Sequence, residues 1–164
     1  MSAAVSPPDA KAFRAALGLF ATGVTLVTTR GADGQPIGLT VSSFNSVSLA
    51  PPLVLWSLSL GSSSQPYFDT AVDYAINVLA ANQVDLARQF STRALADRFA
   101  GVDWTPGVGG APVIAGCAAV FECRAHARHL AGDHVIHVGE VLRCEHAVVP
   151  PLVFHAGGFD LTPK

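Results

Sequence analysis

Polar and apolar positions change their period along the chain, and the changes mark its elements. Ser6, Pro7, Pro8 and Asp9 precede Phe13, Leu17 and Phe20 at helical spacing. A hydroxyl cap with proline in the first turn predicts one amphipathic helix over about residues 7–20. The period then falls to two: GVTLVTTR (23–30), the turn GADGQ and PIGLTVSSF read as a hairpin. LVLWSLS (53–59) and YAINVLA (74–80) are further strands, and GSSSQPYFDTAVD between them has room for a loop and one or two helical turns. Asn82, Gln83, Leu86 and Phe90 predict a second helix, capped by Asn82. TRALADRFAGVDWTPGVGGAP begins helical and dissolves into glycine and proline, the most loop-like stretch of the chain. AAVFECRAHARHL and HVIHVGEVLRC then read as two long strands joined by AGD, with PLVFH as a closing strand. About seven strands against two or three short helices, without internal repeat, predict an antiparallel, closed or nearly closed β-barrel with peripheral helices.

Composition narrows the class. Half of the 164 residues are apolar, enough for the core of one domain, expected over residues 7–164 behind a flexible N-terminus of residues 1–6. Charged residues make up only 13% and the net charge is −2, which excludes a basic phosphate-tracking surface, so no nucleic-acid or membrane partner is expected. Cys117, Cys123 and Cys144 show no CxxC spacing and are expected to be reduced, small core residues. With no leader-like start and no run of ~20 apolar residues, a soluble cytoplasmic protein is expected.

GxGxxG, a Walker A sequence and GxSxG are all missing, which removes the main sequence support for a Rossmann dehydrogenase, a P-loop nucleotidase and an ordinary serine hydrolase. His126 with His129, and His134 with His137, have the look of ligand pairs. In strands, however, residues i and i+3 point to opposite faces, so no metal is expected there. With Ala131 and Gly132 as a two-residue turn, His129 would face His134 and His126 would face His137. The densest chemical signal is hydroxyl: Thr40, Ser42, Ser43, Ser46 and Ser48 in GLTVSSFNSVS, then Ser57, Ser59, Ser62, Ser63 and Ser64 in WSLSLGSSS. Pattern alone leaves two readings open: a hydroxyl cradle for a phosphate or the polar edge of a heterocycle, or the solvent face of a strand followed by a loop.

The strings FRAALGLFATGVTLVTTR, GLTVSSFNSVSLAPPLVL, YAINVLAANQVDLARQF, GDHVIHVGEV and PPLVFHAGGF resemble, in order and spacing over nearly the whole chain, the short-chain flavin reductase family. The resemblance implies an FMN-binding split barrel of Greek-key type, usually a homodimer. It implies that NADH or NADPH reduces FMN or FAD, commonly for a partner flavin-dependent monooxygenase of a two-component system. Carried over by residue, the flavin contacts fall on Thr40, Val41, Ser42, Ser43, Phe44, Ser46 and Val47. Ser62, Ser63 and Ser64 match the phosphate-holding turn, and Phe90 with Ser91 a later contact. His134 of the GDH turn falls on the nicotinamide side, as does Phe159. Asn77 matches a strand asparagine whose role is either structural or functional.

Several positions depart from the family pattern. Ala50 stands where an acidic or amide residue is typical, and His137 where an aromatic is usual. Gly158 replaces the basic residue often found before the final aromatic. The serine turn carries no fixed cation, which leaves arginines such as Arg93 or Arg98 to supply one, while Arg124 and Arg128 are candidates for a 2′-phosphate. A flavin accepts hydride without any protein nucleophile, so the protein's task is binding and orientation. A flavin-binding protein on the same barrel that is not a reductase is the competing class.

Overall fold

The computed structural model describes residues 6–160. Its helices are α1 (Ala10–Gly18), α2 (Gln65–Thr70) and α3 (Val84–Thr92). Its strands are β1 (Thr22–Gly23), β2 (Thr25–Arg30), β3 (Pro36–Val41), β4 (Asn45–Leu49), β5 (Pro52–Ser59), β6 (Asp73–Val78), β7 (Trp104–Pro106), β8 (Pro112–Ile114), β9 (Ala119–Ala131), β10 (His134–His146), β11 (Val153–His155) and β12 (Gly158–Asp160).

Alternation in PLVLWSLS buries Val54, Trp56 and Leu58 on one face of β5 and turns Ser57 and Ser59 to the other. The same logic along the other strands curls one antiparallel sheet, in the order β3-β2-β6-β9-β10-β5-β4, around Val27, Ile37, Val41, Trp56, Tyr74, Ile76 and Cys123. From α2, Phe68 enters this interior and meets Trp56 edge-on at 4.9 Å, a contact worth about 0.5–1.5 kcal/mol beyond its burial. The barrel is mainly β, as expected, and it is split. Across the gap between the end of β3 and β5 no ladder forms, and the Ser43 hydroxyl bridges it instead. It accepts from the Ser57 N–H at 2.8 Å and donates to the Ser57 carbonyl at 3.1 Å.

A second apolar layer of Val24, Leu26, Leu79, Phe90, Ile114 and Leu152 lies outside the barrel under α3. The helix comes this close because position 38 is glycine; a Cβ there would stand 2.8 Å from the Phe90 ring. Asn77, fully buried, ties the layers together. Its amide donates to the Leu26 carbonyl (3.1 Å) and the Thr28 hydroxyl (3.2 Å), and its oxygen accepts from the Ile114 N–H (2.9 Å). Its role is therefore structural. The small sheet β1-β11-β12 covers one flank of the barrel.

Several expectations are corrected. The first helix starts at Ala10 and is capped by the Asp9 carboxylate, which accepts from the Ala12 N–H at 3.1 Å, rather than by Ser6. Residues 1–5 of the expected flexible terminus lie outside the described residues. Asn82 does not cap the second helix. A short 3₁₀ turn, Ala81–Gln83, precedes α3, and the Gln83 amide does the local bonding, accepting from the Ala80 N–H and donating to the Ala115 carbonyl. The loop-like stretch contains the hairpin β7–β8, held where Val108 N–H donates to the Glu122 carboxylate. The edge strand β4 was not foreseen in the pattern, because its residues are mostly exposed on both faces. Neither expected histidine pair forms. Gly132 and Asp133 make the β9–β10 turn, His134 pairs with Ala131, Ile136 with His129, and His137 with Arg128. Gly132 has φ +64 while Asp133 has no positive φ, which suits a turn with glycine first. Among the described residues no His, Cys, Asp and Glu side chains cluster in a metal-binding group. All three cysteines are free, but Cys144 is exposed rather than core. Burial pushes the Cys117 and Cys123 thiols up to about 12, which leaves them unreactive at neutral pH. No described helix is long and apolar enough to cross a membrane.

Candidate active site

The strand end at β3, the outer face of β5 and the first residues of β10 converge on a cleft of about 340 Å³. Its walls are Leu39, Thr40, Val41, Ser42, Ser43, Ser57, Leu58, Ser59, Ser62 and His134. Thr40 and Ser42 also line a second lobe of about 330 Å³, completed by Val24, Ser91, Phe154 and Phe159. The two lobes therefore share a wall. Among the described residues neither lining contains Lys, Arg, Asp or Glu, so the surface offered is hydroxyl, backbone and apolar side chain. That donor set suits a neutral heterocycle with an amide-like edge and a polyhydroxyl tail, which a flavin is.

Several hydroxyls have structural duties as well. Thr40 Oγ1 donates to the Ala87 carbonyl at 2.7 Å and pins β3 to α3, while Ser43 holds the barrel seam. Ser62 accepts from the Ser64 N–H at 3.2 Å, which shapes the turn. Ser63 is exposed beside it in the turn that leads into α2, and Ser64 is fully buried. Behind Ser64 stands Arg98, whose Nη1 donates to the Ser64 hydroxyl at 3.1 Å and to the Gly38 carbonyl at 2.8 Å. The serine turn thus has a guanidinium within one residue of it, brought there by the stretch that dissolves into loop in the sequence.

His134 opens β10 at the mouth of the first lobe, its Nδ1 2.7 Å from the Asp133 carboxylate. That hydrogen bond and the neighbouring imidazole hold the Asp133 carboxyl below its usual range. Leu60 N–H donates to the Asp133 carbonyl at 3.0 Å, which fixes this turn against the end of β5. His137, three residues on, belongs to the barrel interior and not to the cleft. Its ring stacks on Trp56 at 4.5 Å and 13°, filling the place of an aromatic, and burial pushes its pKa down to about 4.

Of the residues singled out in the sequence, Thr40, Val41, Ser42, Ser43, Ser62, His134, Ser91 and Phe159 line the two lobes. Phe44 packs beside the core against Phe121, with ring centroids 5.4 Å apart. Phe90, on the inner face of α3, is fully buried and lines neither lobe. Ser46 and Val47 lie on the edge strand β4, away from both. Arg124 pairs with Asp73 at 3.1 Å, and Arg128 is engaged by the Phe68 and Ala71 carbonyls; neither lines the cleft as a 2′-phosphate ligand would. Ser57, Ser59, Val24 and Phe154 join the site by topology. Ser57 and Ser59 were visible as part of the hydroxyl cluster, and Phe154 as an aromatic in the closing strand.

A split antiparallel barrel with a hydroxyl-walled cleft at the split defines a flavin-binding split barrel. Residues 17–162 match the family described as "Flavin reductase like domain", and the chain belongs to that family. It is 51% identical over 151 residues to the FMN reductase (NADH) SmoA of Agrobacterium fabrum, covering 92% of this chain and 85% of that protein. With HsaB of Mycobacterium tuberculosis, the reductase subunit of a flavin-dependent monooxygenase, it shares 37% identity over 162 residues, covering 97% and 84%. Among solved structures, the NADH:FAD oxidoreductase SgcE6 of Streptomyces globisporus, in complex with NAD and FAD fragments, superimposes with a TM-score of 0.88 at 38% identity, covering 97% of this chain and 96% of that one.

Proposed function

We propose that the first lobe seats the flavin and that the reducing dinucleotide enters over Thr40 and Ser42 from the second. The chain is an NAD(P)H-dependent flavin reductase, a flavin oxidoreductase whose relatives include reductase subunits of two-component monooxygenases. The observation that carries the site assignment is the two-lobed cleft itself, in which eight of the residues implied by the family resemblance meet. A bound flavin supplies the hydride acceptor. The chain's residues bind, orient and exclude water. Ser42, Ser57 and Ser59 offer hydroxyls to the heterocycle edge and ribityl chain, Ser62 and Ser63 hold the phosphate end, and Arg98 behind Ser64 gives that end its positive charge. His134, steadied by Asp133, orients the carboxamide side of the nicotinamide, and Phe159 offers the dinucleotide an aromatic face. Orientation of this kind converts a bimolecular encounter into an aligned one. Reduced flavin then serves a partner monooxygenase.

The working form we propose is a homodimer. Phe13 and Leu17 in α1, and Phe20 just after it, expose 52%, 57% and 73% of their surface, and no residue of the helix is buried. On β4, Val47 and Leu49 are exposed beside Ser46. A second copy covering this edge would bring Ser46 and Val47 toward a flavin that the isolated chain keeps from them. NADH oxidation with added FMN or FAD tests the reductase: flavin-dependent loss of NADH absorbance is expected, and bound flavin without turnover would leave a passive flavin binder. Light scattering is expected to give about twice 17.0 kDa.

A further inference from the structure

The second lobe has the lining of a nucleoside site but no charge of its own. Phe154 and Phe159 lie with ring centroids 5.5 Å apart and planes at 61°, and Thr40, Ser42 and Ser91 add hydroxyls. A dinucleotide carries two phosphates between its nucleosides, and their charge has to meet a cation outside this lining. One is present. Arg88, on α3, reaches across to β12 and places its Cζ 5.9 Å from the Phe159 ring centroid. Ser91 lies three residues further on, on the same face of the helix, and its hydroxyl donates to the Arg88 carbonyl at 3.0 Å. The helix therefore delivers a hydroxyl into the lobe and a guanidinium to its aromatic edge.

The Arg88 charge is also available. Its carboxylate partner is Asp85, 3.6 Å away and 94% exposed, an i,i+3 surface pair of the kind that contributes little. A phosphate offers two oxygens to the guanidinium fork and displaces such a partner readily. Next to Phe159 in β12, Gly158 has no side chain, and a Cβ there would meet nothing closer than 3.8 Å. No side chain from that position competes for the space. Resting on the flavin reductase reading, we infer that Arg88 grips the diphosphate of the reducing dinucleotide, with Phe159 as the shared platform between guanidinium and nucleoside. Arg88 is thus a binding residue supplied by a helix outside the barrel.

Arg88→Gln keeps a helix-forming residue of similar length and removes only the charge and fork. With FMN saturating, its KM for NADH is expected to rise about tenfold, as for a lost hydrogen bond to a charged group. Reduced nicotinamide riboside, which has no phosphate, serves as the internal standard. The ratio of kcat/KM for NADH to that for the riboside should fall by the same about tenfold factor. Arg88→Lys, which restores the charge without the fork, should recover part of the loss. Equal ratios in wild type and Arg88→Gln would overturn the inference. So would a rise confined to the KM for FAD with that for NADH unmoved, because the guanidinium would then serve the flavin's own diphosphate. Wild-type protein that fails to oxidise NADH with any flavin would instead sink the reductase reading, whatever Arg88 does. A circular dichroism melt of each variant confirms that α3 is intact.

Discussion

Replacing His137 by Phe should make the protein less sensitive to acid, and the structure sets the size of the effect. The imidazole is 1% exposed, stacked on Trp56, edge-on to Phe68 at 6.4 Å, and its Nε2 has no hydrogen-bond partner. Burial lowers its pKa from 6.5 to about 4, the Arg128 guanidinium pushes the same way, and the Asp69 carboxylate opposes them. The folded state therefore binds the proton less readily than the unfolded chain. Stability tied to His137 is complete above the unfolded value of 6.5, falls as the pH drops through the interval to about 4, and changes no further below it. The interval from 6.5 to about 4 corresponds to about 3 kcal/mol. Phe keeps the stack on Trp56 and removes both the proton site and the unpartnered nitrogen. The assay is urea unfolding followed by tryptophan fluorescence in wild type and variant, from about pH 7.5 to about pH 4.5, taking the difference so that carboxylates common to both cancel. Near pH 7.5 the variant should equal wild type or exceed it by about 1 kcal/mol, and the gap should widen by about 2–3 kcal/mol at the acid end. Parallel stability profiles would refute the reasoning, since His137 would then titrate alike in both states.

Two further substitutions separate structure from binding. Asn77→Ala strips the Leu26 carbonyl and the Ile114 N–H of their partners in a buried layer; a loss of about 2–4 kcal/mol in urea unfolding is expected, with flavin affinity of the surviving folded protein retained. Ser62→Ala should weaken flavin binding about tenfold in a fluorescence titration and lower Tm only by the loss of its one bond to the Ser64 N–H, and unaltered affinity would remove Ser62 from the phosphate end.

How far the sequence could be read depended on the range of the interactions involved. β5 and β6 were legible because burial on one face writes itself as alternation or as an apolar run, and the hydroxyl cluster because it is contiguous. The β9–β10 register was not. Choosing Ala131–Gly132 over Gly132–Asp133 shifts every cross-strand partner by two, and a register irregularity between Val138 and Gly139 moves the partners again around His126. β4 carries no alternation because both faces are exposed in the single chain. Arg98 shows a different limit. Its guanidinium meets Gly38 and Ser64 across 60 and 34 positions of sequence, a contact that no local pattern announces.

The division of labour among the hydroxyls follows from the split itself. A closed barrel would pair β3 with β5 through backbone groups and leave no cleft; here a side chain makes the closure, and the strands stand far enough apart for a ligand to enter. Ser43 is thereby committed twice, since its hydroxyl holds both polar groups of Ser57 while its residue lines the lobe. Ser43→Ala is expected to orphan the Ser57 N–H and carbonyl, lower stability by about 1–3 kcal/mol and weaken flavin binding through the altered gap. Adding saturating flavin should then restore part of the lost Tm, because a ligand that binds only the folded state stabilises it. Ser62→Ala, by contrast, gives up one structural hydrogen bond instead of two and should lose chiefly affinity. If Ser43→Ala lowers flavin affinity while its unliganded Tm equals that of wild type, the hydroxyl is a ligand contact and the seam is held by something else.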